Sequence, residues 1–316
     1  MKKKIIIIVA FICAIFFIGS YLIADYMVYY ILNRNAKHQE GTDSLTTDPV
    51  LLEKALTMLT GTKEWNTELD EKAETWNIES FDHLNLNAFF LKNDSHNYII
   101  LCHGFTGTHQ EMVGRAEHFY RNGYNILLPD ARAHGESEGI YRGMGYLERA
   151  DLKGWIQHIV DMDPEANIAL MGQSMGAATV MMTASEPLAP QVKCVIEDCG
   201  YISVWDVFSK QISIRYHLPN FPIMNLANLI SEKKAGYSFK DASPIDMIAN
   251  CKLPILMIHG QEDSFVPHEY LDMLYEAANE PKEKLSVKGA AHCMSMVIET
   301  ETYWQTVDTF LENYMK

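Results

Sequence analysis

The sequence predicts an α/β fold in which a mostly parallel sheet carries helices on both faces. From residue 98 onward, short continuous apolar runs alternate with longer amphipathic segments, which is typical of buried strands separated by helices. Strands connected in this way pair in parallel. The chain has 316 residues, of which 48% are hydrophobic and 21% are charged, so it can bury a core of the required size.

The first 32 residues are predicted to form a membrane anchor. Three lysines follow Met1, and residues 5–24 carry no charge, a length of about 20 residues that spans a bilayer as a helix. The lysines favour a single pass with a cytoplasmic N-terminus and a catalytic domain outside the cell membrane. A cleaved signal peptide is the alternative, but the apolar run is longer than usual for one and no small-x-small cleavage site follows it.

Residues 33–75 are predicted to form a polar stalk and a first helical segment. Asp48 and Pro49 are typical of an N-cap and a first helical residue, and the helix should end near Gly61. Residues 65–74 are polar and leave their secondary structure open.

Residues 76–316 are predicted to form the α/β domain. Residues 76–81 and 86–91 alternate like the strands of a hairpin and should form an antiparallel edge. Parallel strands are expected at residues 98–102, 125–128, 167–171, 192–196, 255–258 and 284–287. Helices are expected at residues 110–122, with Gly123 as C-cap, at 146–160 and at 296–314.

Residues 200–242 interrupt this alternation. The segment is rich in aromatic residues and has little strand character, so we expect a small helical cap insertion that covers the active site. A long crossover helix followed by a loop is the alternative.

A candidate nucleophile lies in the sequence Gly172-Gln173-Ser174-Met175-Gly176. An apolar run precedes it and a run of small residues follows it, which indicates a strand, a sharp turn and a helix. In that setting G-x-S-x-G forms a nucleophile elbow, with the Ser174 hydroxyl exposed above the start of the helix. The motif by itself is weak, so its partners must support it.

His292 and Asp263 are the candidate partners of Ser174. Each follows a predicted strand, and the carboxyl ends of parallel strands meet at one edge of a sheet. The order serine, aspartate, histidine along the chain favours them. Asp198 is the alternative acid. Among the twelve histidines, the competing candidates for the base are His103, His134, His259 and His268.

Two backbone N–H groups are predicted to form an oxyanion hole. One belongs to Met175, the residue after the nucleophile, and the other to Phe105, in the loop 103–107 after a buried strand. The polar cluster of residues 130–137 also follows a strand, and we expect it to brace the oxyanion loop. Ser137 lies in this cluster but not on an elbow.

These segments together resemble the α/β-hydrolase superfamily, and its membrane-anchored members and bacterial serine esterases most of all. The resemblance covers residues 76–316. It is carried by the blocks Cys102-His103-Gly104-Phe105, Asp130 to Ser137, Gly172 to Gly176, His259 to Asp263 and Ala291-His292. One departure is Ala133, where many relatives have glycine. The resemblance implies serine hydrolase chemistry on esters, thioesters or amides.

The sequence thus predicts a membrane-anchored carboxylesterase that acts on a small-molecule acyl ester and needs neither a metal nor an organic cofactor. A serine peptidase or aminoacyl amidase with a peptide substrate is the first alternative. A non-catalytic membrane-anchored binding protein is the second. The net charge of −15 argues against nucleic acid as a partner.

The six cysteines are predicted to be mostly buried free thiols. They form no C-x-x-C pair, so the spacing gives no indication of a zinc site. Cys194 and Cys199 are close in sequence, but their odd separation places them on opposite faces of a strand. A disulfide between them is the minority alternative.

Overall fold

The computed structural model describes residues 2–37 and 46–315. Its strands are β1 (Glu74–Glu79), β2 (Asn85–Leu91), β3 (Asn97–Cys102), β4 (Asn125–Pro129), β5 (Asn167–Gln173), β6 (Val192–Asp198), β7 (Ile255–Gly260) and β8 (Lys282–Val287). They form one sheet in the order β1-β2-β4-β3-β5-β6-β7-β8. The pairs β1–β2 and β2–β4 are antiparallel, and all other pairs are parallel. The predicted parallel sheet with an antiparallel edge is confirmed.

The helices lie between these strands and before the sheet. They are α1 (Lys2–Leu32), α2 (Pro49–Thr60), α3 (Lys63–Lys72), α4 (Val113–Arg121), α5 (Glu148–Met162), α6 (Met175–Ala184), α7 (Val204–Tyr216), α8 (Asn220–Ala235), α9 (Pro244–Met247), α10 (Glu269–Ala277), α11 (Ser295–Ile298) and α12 (Thr300–Tyr314). Short 3₁₀ helices occupy His109–Met112 and Ile248–Asn250.

Both faces of the sheet are covered, as the continuous apolar runs require. In β3, Ile99 and Leu101 belong to one core cluster, whereas Tyr98 and Ile100 belong to the other. Side chains alternate across a strand, so each cluster fills one face. This double burial explains why the central strands read as unbroken apolar runs rather than as alternating patterns.

Three elements differ from the sequence-based expectation. The ambiguous polar stretch forms α3, capped by Thr62, and its buried Trp65 donates a hydrogen bond from Nε1 to the carbonyl oxygen of Val113 (2.9 Å). Helix α10 had no predicted counterpart. The C-cap of α4 is Asn122 rather than Gly123. Few apolar residues mark α3, because only Trp65 and Leu69 of this helix are buried.

Helix α1 is longer than the predicted span and has two parts. Its side chains are exposed as far as Ile18, and from Ser20 onward every fourth residue is buried (Ser20, Ala24, Val28 and Leu32). The buried stripe packs on α8, and Asp25 pairs with Lys234 (2.6 Å). The helix is long and apolar enough to cross a membrane, a test that a signal sequence also passes. Residues 38–45 of the predicted stalk lie outside the described residues.

The predicted helical insertion corresponds to α7 and α8, which follow β6 and precede β7. Phe208 of α7 and Phe239 pack edge to face, with ring centroids 5.3 Å apart. Tyr237, just after α8, donates a hydrogen bond from its hydroxyl to the carbonyl oxygen of Arg142 (3.1 Å). The buried aromatic residues of the segment therefore extend the core on one face of the sheet and attach the segment to the rest of the fold.

Candidate active site

Ser174 lies on the sharp turn between β5 and α6. Its φ and ψ angles are 54° and −111°, a strained backbone for a residue with a side chain. The turn requires glycine on either side, because a methyl group on Gly172 would overlap the backbone of Gly176. A methyl group on Gly176 would overlap the backbone of Cys102. The elbow therefore depends on close packing of β5, α6 and the end of β3.

The structure brings the three predicted catalytic side chains together. The Ser174 hydroxyl lies 2.9 Å from Nε2 of His292, and Nδ1 of His292 lies 2.6 Å from Oδ2 of Asp263. With the hydroxyl donating to Nε2, the Nδ1–H donates to the carboxylate. All three residues are buried, with 6–7% of their surface exposed. The arrangement can pass a proton from a serine hydroxyl to an imidazole held in one tautomer.

Three hydrogen bonds and a second neighbouring imidazole hold Asp263 as a carboxylate, and that imidazole, of His259, donates its Nε2–H to the Val266 carbonyl oxygen (3.0 Å). Oδ1 of Asp263 accepts hydrogen bonds from the backbone N–H groups of Phe265 (2.9 Å) and Val266 (2.8 Å). Its Oδ2 faces His292 and also Nε2 of His259, 3.3 Å away. Burial would raise the pKa of Asp263, but the two imidazoles outweigh it and hold that pKa well below its ordinary value.

The pKa of His292 is shifted upward from its ordinary value. Burial opposes the shift, and the neighbouring Cys199 and Asp263 produce it by favouring the imidazolium.

His259, which the sequence offered only as a competing base, instead supports the acid. Its position near the end of β7, four residues before Asp263, is the signal that could have shown this role.

The predicted oxyanion loop passes directly beside the nucleophile. A methyl group on Gly104 would lie 3.6 Å from Cβ of Ser174. His103 holds this loop, because its Nδ1 donates to the carbonyl oxygen of Gly104 (2.7 Å) and its Nε2 accepts from the N–H of Ala131 (3.0 Å). Burial lowers the pKa of His103, which favours this neutral form. Met175 is the first residue of α6. The donor roles of Phe105 and Met175 stay predictions.

Glu111, in the 3₁₀ helix just after this loop, is a residue that the sequence did not single out. Its carboxyl group fills the space above Gly107, where a methyl group would overlap it. Burial raises the pKa of Glu111 to about 7, against the opposing effects of the Gly104 N–H and Arg115. A carboxyl group that titrates near neutral pH thus borders the predicted oxyanion hole.

The alternative acid, Asp198, has other partners. Its Oδ2 accepts from Nη2 of Arg115 (2.9 Å) and from the hydroxyl of Tyr303 (3.0 Å), and all three side chains are buried. Its carbonyl oxygen accepts the N–H of Ser174 (2.8 Å). Asp198 therefore supports the elbow through its backbone and the core through its carboxylate.

The polar cluster of residues 130–137 forms a buried brace. Asp130 accepts hydrogen bonds from the N–H groups of His109 (2.8 Å) and Glu136 (2.9 Å), and the Ser137 hydroxyl donates to the Asp130 carbonyl oxygen (2.6 Å). Burial opposes the shift, but the His109 imidazole, 2.9 Å from Oδ1, and the backbone N–H groups of Glu136 and His109 lower the pKa of Asp130 to about 2. The cluster thus ties the segment after β3 to the segment after β4.

All six cysteines lie in the described residues and are free, and Cys13 alone is exposed. Cys199 does not meet Cys194. Its sulfur lies instead 3.5 Å from that of Cys293, the residue after His292. Buried free thiols were the main expectation. The spacing of the cysteines in the sequence does not predict that Cys199 lies beside Cys293.

Comparisons with known proteins agree with this architecture. Residues 93–213 match the family model Hydrolase_4, described as serine aminopeptidase, S33. The uncharacterized protein YqkD of Bacillus subtilis is 28% identical over 251 residues, which cover 75% of this chain and 82% of YqkD. A Pyrococcus furiosus esterase is 26% identical with a TM-score of 0.65, over 79% of this chain and 95% of that chain.

An acylaminoacyl peptidase of Pyrococcus horikoshii shares the fold. It is 18% identical with a TM-score of 0.58, over 81% of this chain and 44% of that chain. Family and fold together indicate a hydrolase of the serine type, either an esterase or a peptidase.

The two aspartates should respond differently to replacement by asparagine. Asp263→Asn should lower kcat/KM by about 10³- to 10⁴-fold, because the wrong imidazole tautomer is then favoured. Asp198→Asn should keep turnover within about tenfold but lower the free energy of unfolding by about 3 kcal/mol, because the Arg115 charge loses its buried partner. Steady-state kinetics and thermal unfolding of both variants measure this; a larger loss of turnover in Asp198→Asn would contradict it.

The two aspartate variants should also differ in how kcat/KM depends on pH. In the wild type, kcat/KM should fall as the pH drops through the pKa of His292, with a midpoint above 6.5, because protonation removes the base. Removing the Asp263 charge should move that midpoint to lower pH, whereas Asp198→Asn should leave it in place.

Proposed function

This chain belongs to the α/β-hydrolase superfamily, and we propose that it acts there as a membrane-anchored serine hydrolase that cleaves carboxylic esters. The observation that carries the proposal is the continuous line from the Ser174 hydroxyl through His292 to Asp263, with separations of 2.9 Å and 2.6 Å. A relay of this kind, at the carboxyl ends of parallel strands, serves acyl transfer through a covalent intermediate.

In the acylation step, Oγ of Ser174 attacks the carbonyl carbon of the substrate while its proton passes to Nε2 of His292. The backbone N–H groups of Phe105 and Met175 stabilise the oxyanion, and Asp263 stabilises the imidazolium. His292 then protonates the leaving alcohol. In deacylation, His292 takes a proton from water, and the resulting attack releases the carboxylic acid and restores Ser174.

The choice of esters over amides follows from the surroundings of the nucleophile and from the esterase relative. Phe265 packs beside His292, with ring centroids 5.2 Å apart, and Phe105 lies in the oxyanion loop. These rings favour an apolar acyl or aryl group in a small-molecule substrate. The similarity to the Pyrococcus furiosus esterase extends over 95% of that chain. The proposed chemistry requires neither a metal nor an organic cofactor.

We further propose that α1 is an uncleaved signal anchor, with its N-terminus in the cytoplasm and residues 76–316 outside the cell membrane. Support comes from the docking of its second half on α8, since a signal sequence removed by cleavage would leave the surface of α8 that it covers exposed. The division into an anchor (1–32), a stalk and helical segment (33–75), and a catalytic domain with a cap at 200–242 stays a prediction.

A fluorophosphonate probe tests the nucleophile. Wild-type protein should form a covalent adduct on Ser174, and Ser174→Ala should form none and lose turnover while its melting temperature stays near that of the wild type. Ser185→Ala, at the opposite end of the same helix, is the matched control and should keep both adduct and turnover. A folded wild-type protein without an adduct would instead favour the non-catalytic binding protein.

A graded panel of substrates separates esterase from peptidase. With matched acyl groups, p-nitrophenyl and alkyl esters should be hydrolysed at least about tenfold faster, by kcat/KM, than aminoacyl amides, because the rings of Phe105 and Phe265 near the nucleophile favour an apolar acyl group. Faster turnover of aminoacyl amides would assign the protein to the peptidases.

Membrane fractionation tests the anchor. The full chain should stay with the membrane pellet after alkaline carbonate extraction, and externally added protease should degrade the catalytic domain in intact protoplasts. A shortened, soluble form in the medium would identify residues 5–24 as a cleaved signal peptide.

A further inference from the structure

Two buried thiols flank the proposed base, although the chain separates them by 94 residues. Cys199 directly follows β6, and Cys293 directly follows His292. One ligand atom from each of Cys199, His292 and Cys293 lies within 4.8 Å of the other two. We propose that these three side chains form a binding site for Zn²⁺ or a similar thiophilic divalent cation, and that an ion bound there blocks the active site.

The separation of the sulfur atoms suits two ligands of one ion. Two thiolates bound tetrahedrally to Zn²⁺, at about 2.3 Å each, lie about 3.8 Å apart. The observed separation is 3.5 Å. A disulfide would need the atoms to close to about 2.0 Å. The sulfur–sulfur separation is therefore closer to that of two ligands of one metal ion than to that of a disulfide bond.

Both loops that present the thiols are held in place. Cys199 and Cys293 have φ angles of 54° and 62°, and the N–H of Cys199 donates to the carbonyl oxygen of Ile258 (2.8 Å). Cys199 and Cys293 are 0% and 6% exposed. Small movements of fixed side chains suffice to bind an ion, so little conformational entropy opposes binding.

The surroundings of His292 are those of a metal-binding histidine. Such residues almost always donate their second ring N–H to a carboxylate, which fixes the ring and increases its basicity. Here Nδ1 of His292 is paired with Asp263, which His259 and two backbone N–H groups hold in turn. Two thiolates and an imidazole also form a ligand set that Zn²⁺ prefers, with one coordination position left open.

Binding at this site and catalysis exclude each other. Nε2 of His292 is the acceptor for the Ser174 hydroxyl, and Nδ1 is the donor to Asp263. An ion on either nitrogen removes one of these two hydrogen bonds and thereby interrupts the proton relay. The two thiols lose their protons to solvent as the ion binds, so occupancy should increase with pH.

Cobalt(II) is a spectroscopic probe for this site. Reduced, chelator-treated full-length protein in detergent should bind one equivalent of Co²⁺ and show thiolate-to-metal charge-transfer absorption with tetrahedral d–d bands, which Zn²⁺ then displaces. Cys199→Ser and Cys293→Ser should each reduce the charge-transfer band and weaken Co²⁺ binding by at least about tenfold. The control is Cys251→Ser, whose thiol contacts the Leu253 carbonyl oxygen (3.6 Å), and its spectrum should match the wild type.

Two measurements on the wild-type protein need no substitution. Zn²⁺ should slow alkylation of Cys199 and Cys293 relative to Cys251, and it should block fluorophosphonate labelling of Ser174 until a chelator is added. The absence of a charge-transfer band, or a band in both serine variants equal to that of the wild type, would overturn the site. Because the cobalt spectrum does not depend on turnover, failure of this site and failure of the proposed hydrolase activity are distinguishable.

Discussion

The site depends on how closely three backbone segments approach each other under Ser174. The turn at Ser174 exists because Gly172 and Gly176 allow β5, α6 and the end of β3 to pack without intervening side chains. This contact fixes the serine at a strained φ of 54° and sets the oxyanion loop beside it. The strain is maintained because the surrounding backbone is bonded: the Ser174 N–H is held by the Asp198 carbonyl oxygen.

Buried charge is the second constraint, and the fold stabilises buried charges in two ways. Arg115 and Asp198 form a pair with no exposed surface, completed by Tyr303, so that removing one partner leaves an uncompensated charge in the core. Within residues 2–37 and 46–315, Asp263 pairs with neither a lysine nor an arginine side chain. Its charge is stabilised by backbone N–H groups and imidazoles, which suits the proposed role of His292 as a base that gains and loses a proton.

The parts of the site that follow strand ends could be predicted from the sequence. Ser174 and Asp263 come after apolar runs and His292 after a more polar predicted strand, and parallel strands bring such positions to one edge whatever the details of their loops. Glu111 and the pair Cys199–Cys293 could not be found in this way. Their proximity depends on the course of loops and on backbone with positive φ, which no periodic pattern encodes. Helix α10 is different, because its amphipathic sequence is typical of a helix and could have predicted it.

The docking of α1 places the catalytic face relative to a bilayer if the helix spans one. The buried stripe of α1 begins at Ser20, inside the predicted span of residues 5–24, so the folded unit starts within the last turns of that span. Arg142 completes the connection. Its Nη1 donates to the carbonyl oxygens of Ile31 and Asn33 at the end of α1, and its guanidinium lies 5.3 Å from the centre of the Phe105 ring. One side chain thus joins the end of α1 to the loop that carries Phe105, the predicted oxyanion-hole donor.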